Sequence, residues 1–290
     1  MPAPALPRHL DGCHVLALSA GWDPRPLAAA WFAGAIWEVP PQPVDPMLLA
    51  APPSGRSRDE YLPPEPRRGR LRLTGGVTMT GPWPLPAGGA GLPDHPLDLY
   101  ALAPGVSDPL VLGWMAAAAR RAGGAVVPAD RSRVIVPDSA ASVDLTLWTP
   151  TAYAAPELVA AARPYLAGSR VGQPKAIPGI PSAFTVAAQF EYDGALTLAA
   201  QPRDAVPVAV AAVEWGAQGP WTYQVSWVPP DPAELHSPQP SREHVIARTR
   251  VVPVVARVMR GLLAAAGGIV VDEGGFPIGD DELAHRSVRR

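Results

Sequence analysis

The chain reads as an α+β protein in which one unit is written twice. Three observations carry this. Residues 109–124, PLVLGWMAAAARRAGG, and residues 253–268, PVVARVMRGLLAAAGG, align without a gap at an offset of 144 residues, and an apolar triplet follows each. The segments around them give strand, helix, strand, strand, helix, strand in both halves. Glycine-proline-tryptophan occurs twice, at Gly81-Pro82-Trp83 and Gly219-Pro220-Trp221, and is taken to precede the third strand in both halves. This element order is that of the split βαβ, or ferredoxin-like (βαββαβ), unit, whose antiparallel sheets carry helices packed on one face. The expected fold is a tandem duplication of that unit. The first repeat spans 1–140, with a proline-rich insertion at 40–66. The second spans 141–290 and carries an extra hairpin.

In the first half, 14–19 (HVLALS) is a strand, and Asp23-Pro24 opens a helix that ends near Gly34. Residues 35–39 either continue that helix or start a loop. After the proline-rich segment, 71–80 (LRLTGGVTMT) alternates as a strand whose two glycines mark a bulge. LDLYALA at 97–103 is the next strand. Ser107 or Asp108 then caps the repeated helix, where Pro109 suits the first turn because its missing N–H has no partner there. Leu110, Trp114 and Ala118 share one face, and the Gly-Gly pair stops the helix. Residues 126–136 form a strand or hairpin.

The second half starts with the strand VDLTLW at 143–148 and a helix over 156–166. Asp193-Gly194 is the strongest local hairpin signal in the chain and joins strands at 184–192 and 195–200. Residues 206–215 and 223–228 are two further strands. SREHVIARTRVV at 241–252 extends the second copy of the repeated helix from about Arg242, with a bend at Pro253, or stands as a separate element. The strand at 269–272 closes the unit.

Composition narrows the function classes. A formal net charge of −2 gives no electrostatic footprint for nucleic acid or an anionic membrane. No stretch reaches the roughly 20 apolar residues of a membrane span, and the first twelve residues lack the apolar core of a signal peptide. A soluble, cytoplasmic chain is expected. Cys13 is the single cysteine, so no intrachain disulfide forms. The 39 prolines concentrate in loops at 40–66 and 228–240.

No phosphate loop, dinucleotide fingerprint, nucleophile elbow or zinc-protease motif occurs. The glycines at 88–91 read as a loop. Asp272, Glu273, Asp280, Asp281 and Glu282 lie past the last strand without the spacing of a calcium loop. His236 and His244 stand near Asp231, Glu234 and Glu243. The Arg67, Arg68, Arg70 and Arg72 patch is diluted by neighbouring acids. Tryptophan is more suggestive. Trp215, Trp221 and Trp227 with Tyr223 surround one strand pair, and Trp83 is taken as the first-half counterpart of Trp221.

The leading expectation is a non-catalytic module that binds a small molecule or a protein at the interface of the two halves. Its ligand-binding residues are Trp83, Trp215, Trp221, Tyr223, Trp227 and His244. The alternatives are an enzyme without a recognisable motif, using His236 or His244 with Asp272 or Glu273, and a homodimer joined through sheet edges. No cofactor or metal is called for.

Overall fold

The computed structural model describes residues 6–42, 67–87, 91–180, 182–215, 220–237 and 239–288, and for His236 the backbone alone. Most of the proline-rich insertion and residues 88–90 lie outside the described residues. The chain divides into two units, Met1–Ser139 and Ala140–Arg290. The described residues form two antiparallel sheets and five α-helices.

The first unit runs β1 (Val15–Ser19), α1 (Pro24–Trp31), β2 (Ile36–Val39), β3 (Gly69–Thr74), β4 (Val77–Leu85), β5 (Leu97–Leu102), α2 (Pro109–Arg121) and β6 (Ala125–Val127). Its sheet has the order β2-β3-β4-β5-β1-β6. β1 is apolar on both faces because both are covered, and Val15 to Leu18 are all buried. Each helix begins at a proline preceded by an aspartate cap. Asp23 accepts from the Arg25 N–H, and Asp108 from the Leu110 N–H at 2.8 Å. Trp114 of α2 donates its indole N–H to the Leu27 carbonyl at 3.0 Å, joining the two helices. On another face, Leu10, Cys13, Val15, Ala17, Trp83 and Leu99 share a second apolar cluster. Arg131 holds the N-terminal turn there by donating to the Leu10 and Cys13 carbonyls.

The second unit runs β7 (Leu145–Thr149), α3 (Ala155–Ala162), β8 (Ser169–Val171), β9 (Lys175–Ala176), β10 (Phe184–Phe190), β11 (Ala195–Pro202) and β12 (Trp221–Val228). It ends with α4 (Arg242–Ala266), β13 (Ile269–Asp272), β14 (Pro277–Ile278) and α5 (Asp280–Arg286). The sheet order is β14-β13-β7-β12-β11-β10-β8, with β9 also on β10. Leu158 of α3 and Val251, Val255, Met259 and Leu262 of α4 pack on Leu145, Leu147, Tyr223 and Val225. α4 includes 242–252 as one helix with Pro253 inside it, and Ser241 caps its start by accepting from the His244 N–H.

The two sheets share one register. Leu16 lies between Tyr100 and Val126, and Leu147 between Tyr223 and Val270. The Gly-Gly pairs have a common physical reason. Gly123 and Gly267 both take φ +63°, ending their helices. The next glycine passes against the first strand. A Cβ on Gly124 would lie 1.9 Å from the Ala17 carbonyl oxygen, and one on Gly268 2.1 Å from that of Trp148.

Several local expectations change. Residues 71–80 form a β3–β4 hairpin rather than one bulged strand, turning at Gly75-Gly76 with both φ values positive. The Asp193-Gly194 hairpin, β10–β11, is therefore not extra to the second half, since β3–β4 occupies the same place in sheet order. Residues 35–39 contain an edge strand, β2. Residues 126–136 hold only the end of β6 and a single bridge, Val126 to Ile135. The strand expected at 206–215 is absent: Val208–Val210 is a short 3-10 turn. There Val206, Val210, Val213 and Trp215 lie over Trp148 and Val271, so the apolar run covers a sheet face without joining the sheet. The two Gly-Pro-Trp triplets are not equivalent either. Trp83 sits within β4, opposite Leu99, after a register shift at Gly81-Pro82, whereas Trp221 starts β12.

Candidate ligand-binding site

The loop from β7 into α3 is held from several sides. Thr149 Oγ1 donates to the Ala266 carbonyl at 3.1 Å and accepts from the Thr151 N–H. The buried Tyr223 hydroxyl donates to the Thr151 carbonyl at 2.9 Å and accepts from the Tyr153 N–H at 2.8 Å. Burial pushes the Tyr223 phenol up to about 12, so it stays a neutral donor. Tyr153 in turn donates its own hydroxyl to the Ala265 carbonyl at 2.9 Å, and its ring meets Tyr223 edge-on at 6.4 Å. Glu157 accepts from the Ala154 N–H, which fixes the first turn of α3.

This loop forms one wall of an open cleft of about 500 Å³. Pro174, Ala176, Ser182 and Phe184 line the other side, and among the described residues no charged side chain lines it. The volume falls in the range of small-molecule sites, about 300–1,000 Å³. A second cavity, between α3, α4 and the sheet, is largely apolar. Its volume is about 20 Å³, and it is lined by residues such as Ala162, Leu198 and Val258. That is room for about one water, with Thr197 the one polar side chain among the described lining residues.

The residues singled out from sequence do not gather at the cleft. Trp221, Tyr223 and Trp227 alternate along β12 and are buried in the core formed with α3 and α4. Trp215 belongs to a different cluster, edge-on to Trp148 at 6.4 Å. Trp83 lies in the first unit, against His9 at 5.3 Å and with Arg68 over its ring. His244 is buried against the Trp227 ring at 5.0 Å. None of these lines either cavity, and Trp221, Tyr223 and Trp227 pack in the core of the second unit. The cleft residues Tyr153, Ser182 and Phe184 carried no sequence signal, because only folding brings their three segments together.

The acids are likewise committed to backbone. Glu273 Oε1 accepts from the Val143 and Asp144 N–H groups at 3.0 and 2.9 Å. Asp272 accepts from the Phe276 N–H across a turn. Among the described residues no group of three or more histidine, cysteine, aspartate or glutamate side chains could hold a metal ion. The arginine patch is partly neutralised, since Arg70 and Arg72 both reach Glu38, at 2.8 and 4.0 Å. Ser19 and His95 stand 3.0 Å apart, but the serine proton goes to the Ala122 carbonyl, so this hydroxyl ends α2 and is not primed as a nucleophile. Among the described residues no helix is long and apolar enough to cross a membrane.

No protein-family model matches this chain, and no curated protein and no solved structure shows significant similarity to it.

Proposed function

We propose that the protein is a non-catalytic binding module made of two ferredoxin-like repeats, and that it holds an uncharged small molecule in the cleft beside Tyr153. The repeat reading is supported by the crossovers. β5 lies between β1 and β4, and β1 between β5 and β6; in the second unit β12 lies between β7 and β11, and β7 between β12 and β13. The second helical crossover of each unit, through α2 or α4, is thus split by one strand as in that unit, whereas the first, through α1 or α3, runs to the edge strand β2 or β8 and spans three strands. The equivalence of Tyr100 with Tyr223 and of Gly124 with Gly268 supports it residue by residue.

One observation carries the binding reading: a cleft of about 500 Å³ walled by a tyrosine whose hydroxyl and backbone N–H are both already bonded. Such a wall is held in place before a ligand arrives, which lowers the ordering cost of binding. With no charge among its described lining residues, it suits a neutral ligand with an apolar ring. The enzyme reading pairs His236 or His244 with Asp272 or Glu273; of these, His244 is in contact with Trp227, Glu273 accepts from the backbone of Val143 and Asp144, and Asp272 from that of Phe276.

The test is a thermal-shift screen of neutral and charged metabolites on the wild type and on Ala176→Trp, which fills the cleft from an exposed edge. A ligand at about 100 times its Kd should stabilise by about 2.7 kcal/mol. Hits that are neutral and lost in Ala176→Trp support the reading. Hits retained in that variant, or none at all, would sink it and turn attention to a protein partner.

A further inference from the structure

The cleft beside Tyr153 offers a ligand few polar groups. The Tyr153 hydroxyl is spent on the Ala265 carbonyl, and its N–H on the Tyr223 hydroxyl. The alanines, proline and phenylalanine around it have no polar side-chain atom. Ser182 is the exception. It lines the cleft, is exposed, and its hydroxyl has no internal partner among the described residues.

Its backbone supplies a second observation. Ser182 stands at φ +66°, in the left-handed region that favours glycine. Among the described residues, every other positive φ belongs to a glycine except that of Arg131, at +57°. Arg131 shows what keeps a side chain in such a place. Its guanidinium donates to the Leu10 and Cys13 carbonyls, bonds that a glycine would forfeit. Ser182 has no such bond to the chain. Its loop is nevertheless closed from within: the Ala183 N–H donates to the Ile180 carbonyl at 3.2 Å, and the Ile177 N–H to the Ala183 carbonyl at 3.0 Å. The loop springs from β9 and β10, where Ala176 stands opposite Phe184 and both line the cleft. A side chain held in an unfavourable backbone conformation at a cleft wall marks a position where that side chain is used.

We infer that Ser182 selects the ligand of this cleft, and that the ligand is a neutral ring compound carrying one hydroxyl or carbonyl group on its rim. The inference rests on the cleft reading above. The ring takes the apolar lining, and the Ser182 hydroxyl, which both donates and accepts, takes the polar group. A polar group that enters such a site unpaired gives up its bond to water for nothing, so one hydroxyl separates rings of equal shape.

The experiment titrates two matched pairs, benzyl alcohol with ethylbenzene and phenol with toluene, into the full chain, followed through the amide resonances of Tyr153 and Phe184. It compares the wild type with Ser182→Gly, Ser182→Ala and Ala176→Trp. Within each pair, the affinity ratio of alcohol to hydrocarbon should fall about three- to tenfold in both Ser182 variants, the worth of one neutral hydrogen bond. Glycine suits φ +66°, so that variant keeps its fold. A merely structural role for Ser182 weakens both members of a pair alike and leaves the ratio in place. An unchanged ratio in either Ser182 variant, with all binding lost in Ala176→Trp, overturns the role of Ser182 and leaves the cleft standing. Binding that survives Ala176→Trp, or no binding to the wild type, overturns the cleft reading and this inference with it.

Discussion

At the residue scale, the buried tyrosines in the middle of each sheet carry more than their area. Tyr100 pairs across to Leu16 and Tyr223 to Leu147, each a leucine in the first strand of its unit, and both bond the loop that follows that strand. They do so unequally. The Tyr100 hydroxyl makes a single 3.3 Å bond to the Trp22 carbonyl, whereas Tyr223 serves two backbone groups at 2.8 and 2.9 Å. Removing a hydroxyl leaves its buried partners unsatisfied, at about 1–3 kcal/mol. Tyr223→Phe is therefore expected to cost about 2 kcal/mol or more in urea unfolding, and Tyr100→Phe about 1 kcal/mol or less. Because the Tyr223 bonds fix Tyr153, the first substitution should also weaken any ligand of the cleft. Equal costs for the two would remove the argument that Tyr223 organises that wall.

At the scale of elements, Pro253 shows how the same letters behave differently in two contexts. In α2 the matching Pro109 occupies the first turn and costs nothing. In α4 eleven more residues precede it, so the ring sits where a helix wants an N–H to the Thr249 carbonyl. An interior proline costs about 3 kcal/mol, and losing the buried ring to alanine returns part of that. Pro253→Ala is expected to raise the stability of the second unit by about 1–2 kcal/mol, read as a higher thermal midpoint. A loss of stability would mean that the buried ring packs too well to give up. The helices were legible because their period, caps and Gly-Gly stops are local. So was the β10–β11 hairpin, where Gly194 takes φ +82° and a Cβ would strike the Val228 carbonyl. The failures share one cause. Residues 206–215 have a strand's composition but serve as a cover, and an apolar pattern states what is buried without stating against what. Gly81-Pro82 looked like a turn before a strand, yet it sits within β4 where the register shifts, so Trp83 faces Leu99 and shares a cluster with Leu10 and Cys13. The cleft was illegible for the same reason, since 152–155, 174–176 and 182–184 are brought together by tertiary structure alone.

At the scale of the whole chain, each unit closes its own sheet and fills its own cores. Among the described residues, the cluster built on Leu145, Tyr223 and Met259 draws on residues after 142, and the one built on Val15, Trp83 and Leu99 on residues before 135. The boundary between Ser139 and Ala140 falls where neither sheet has a strand. Units of about 140–150 residues bury roughly two thirds of their unfolded surface, enough for independent stability. The segments 1–139 and 140–290, made separately, are thus expected to fold, each with dispersed amide resonances and one cooperative transition. The second segment alone should keep the cleft, and with it whatever ligand the full chain binds, because Tyr153, Ser182 and Phe184 and the bonds that hold them all lie within it. If 140–290 folds but loses the ligand, the site needs residues from the first unit, and the cleft is only part of it. If either segment stays molten, with compact secondary structure and no cooperative melting, the two units depend on one another for folding.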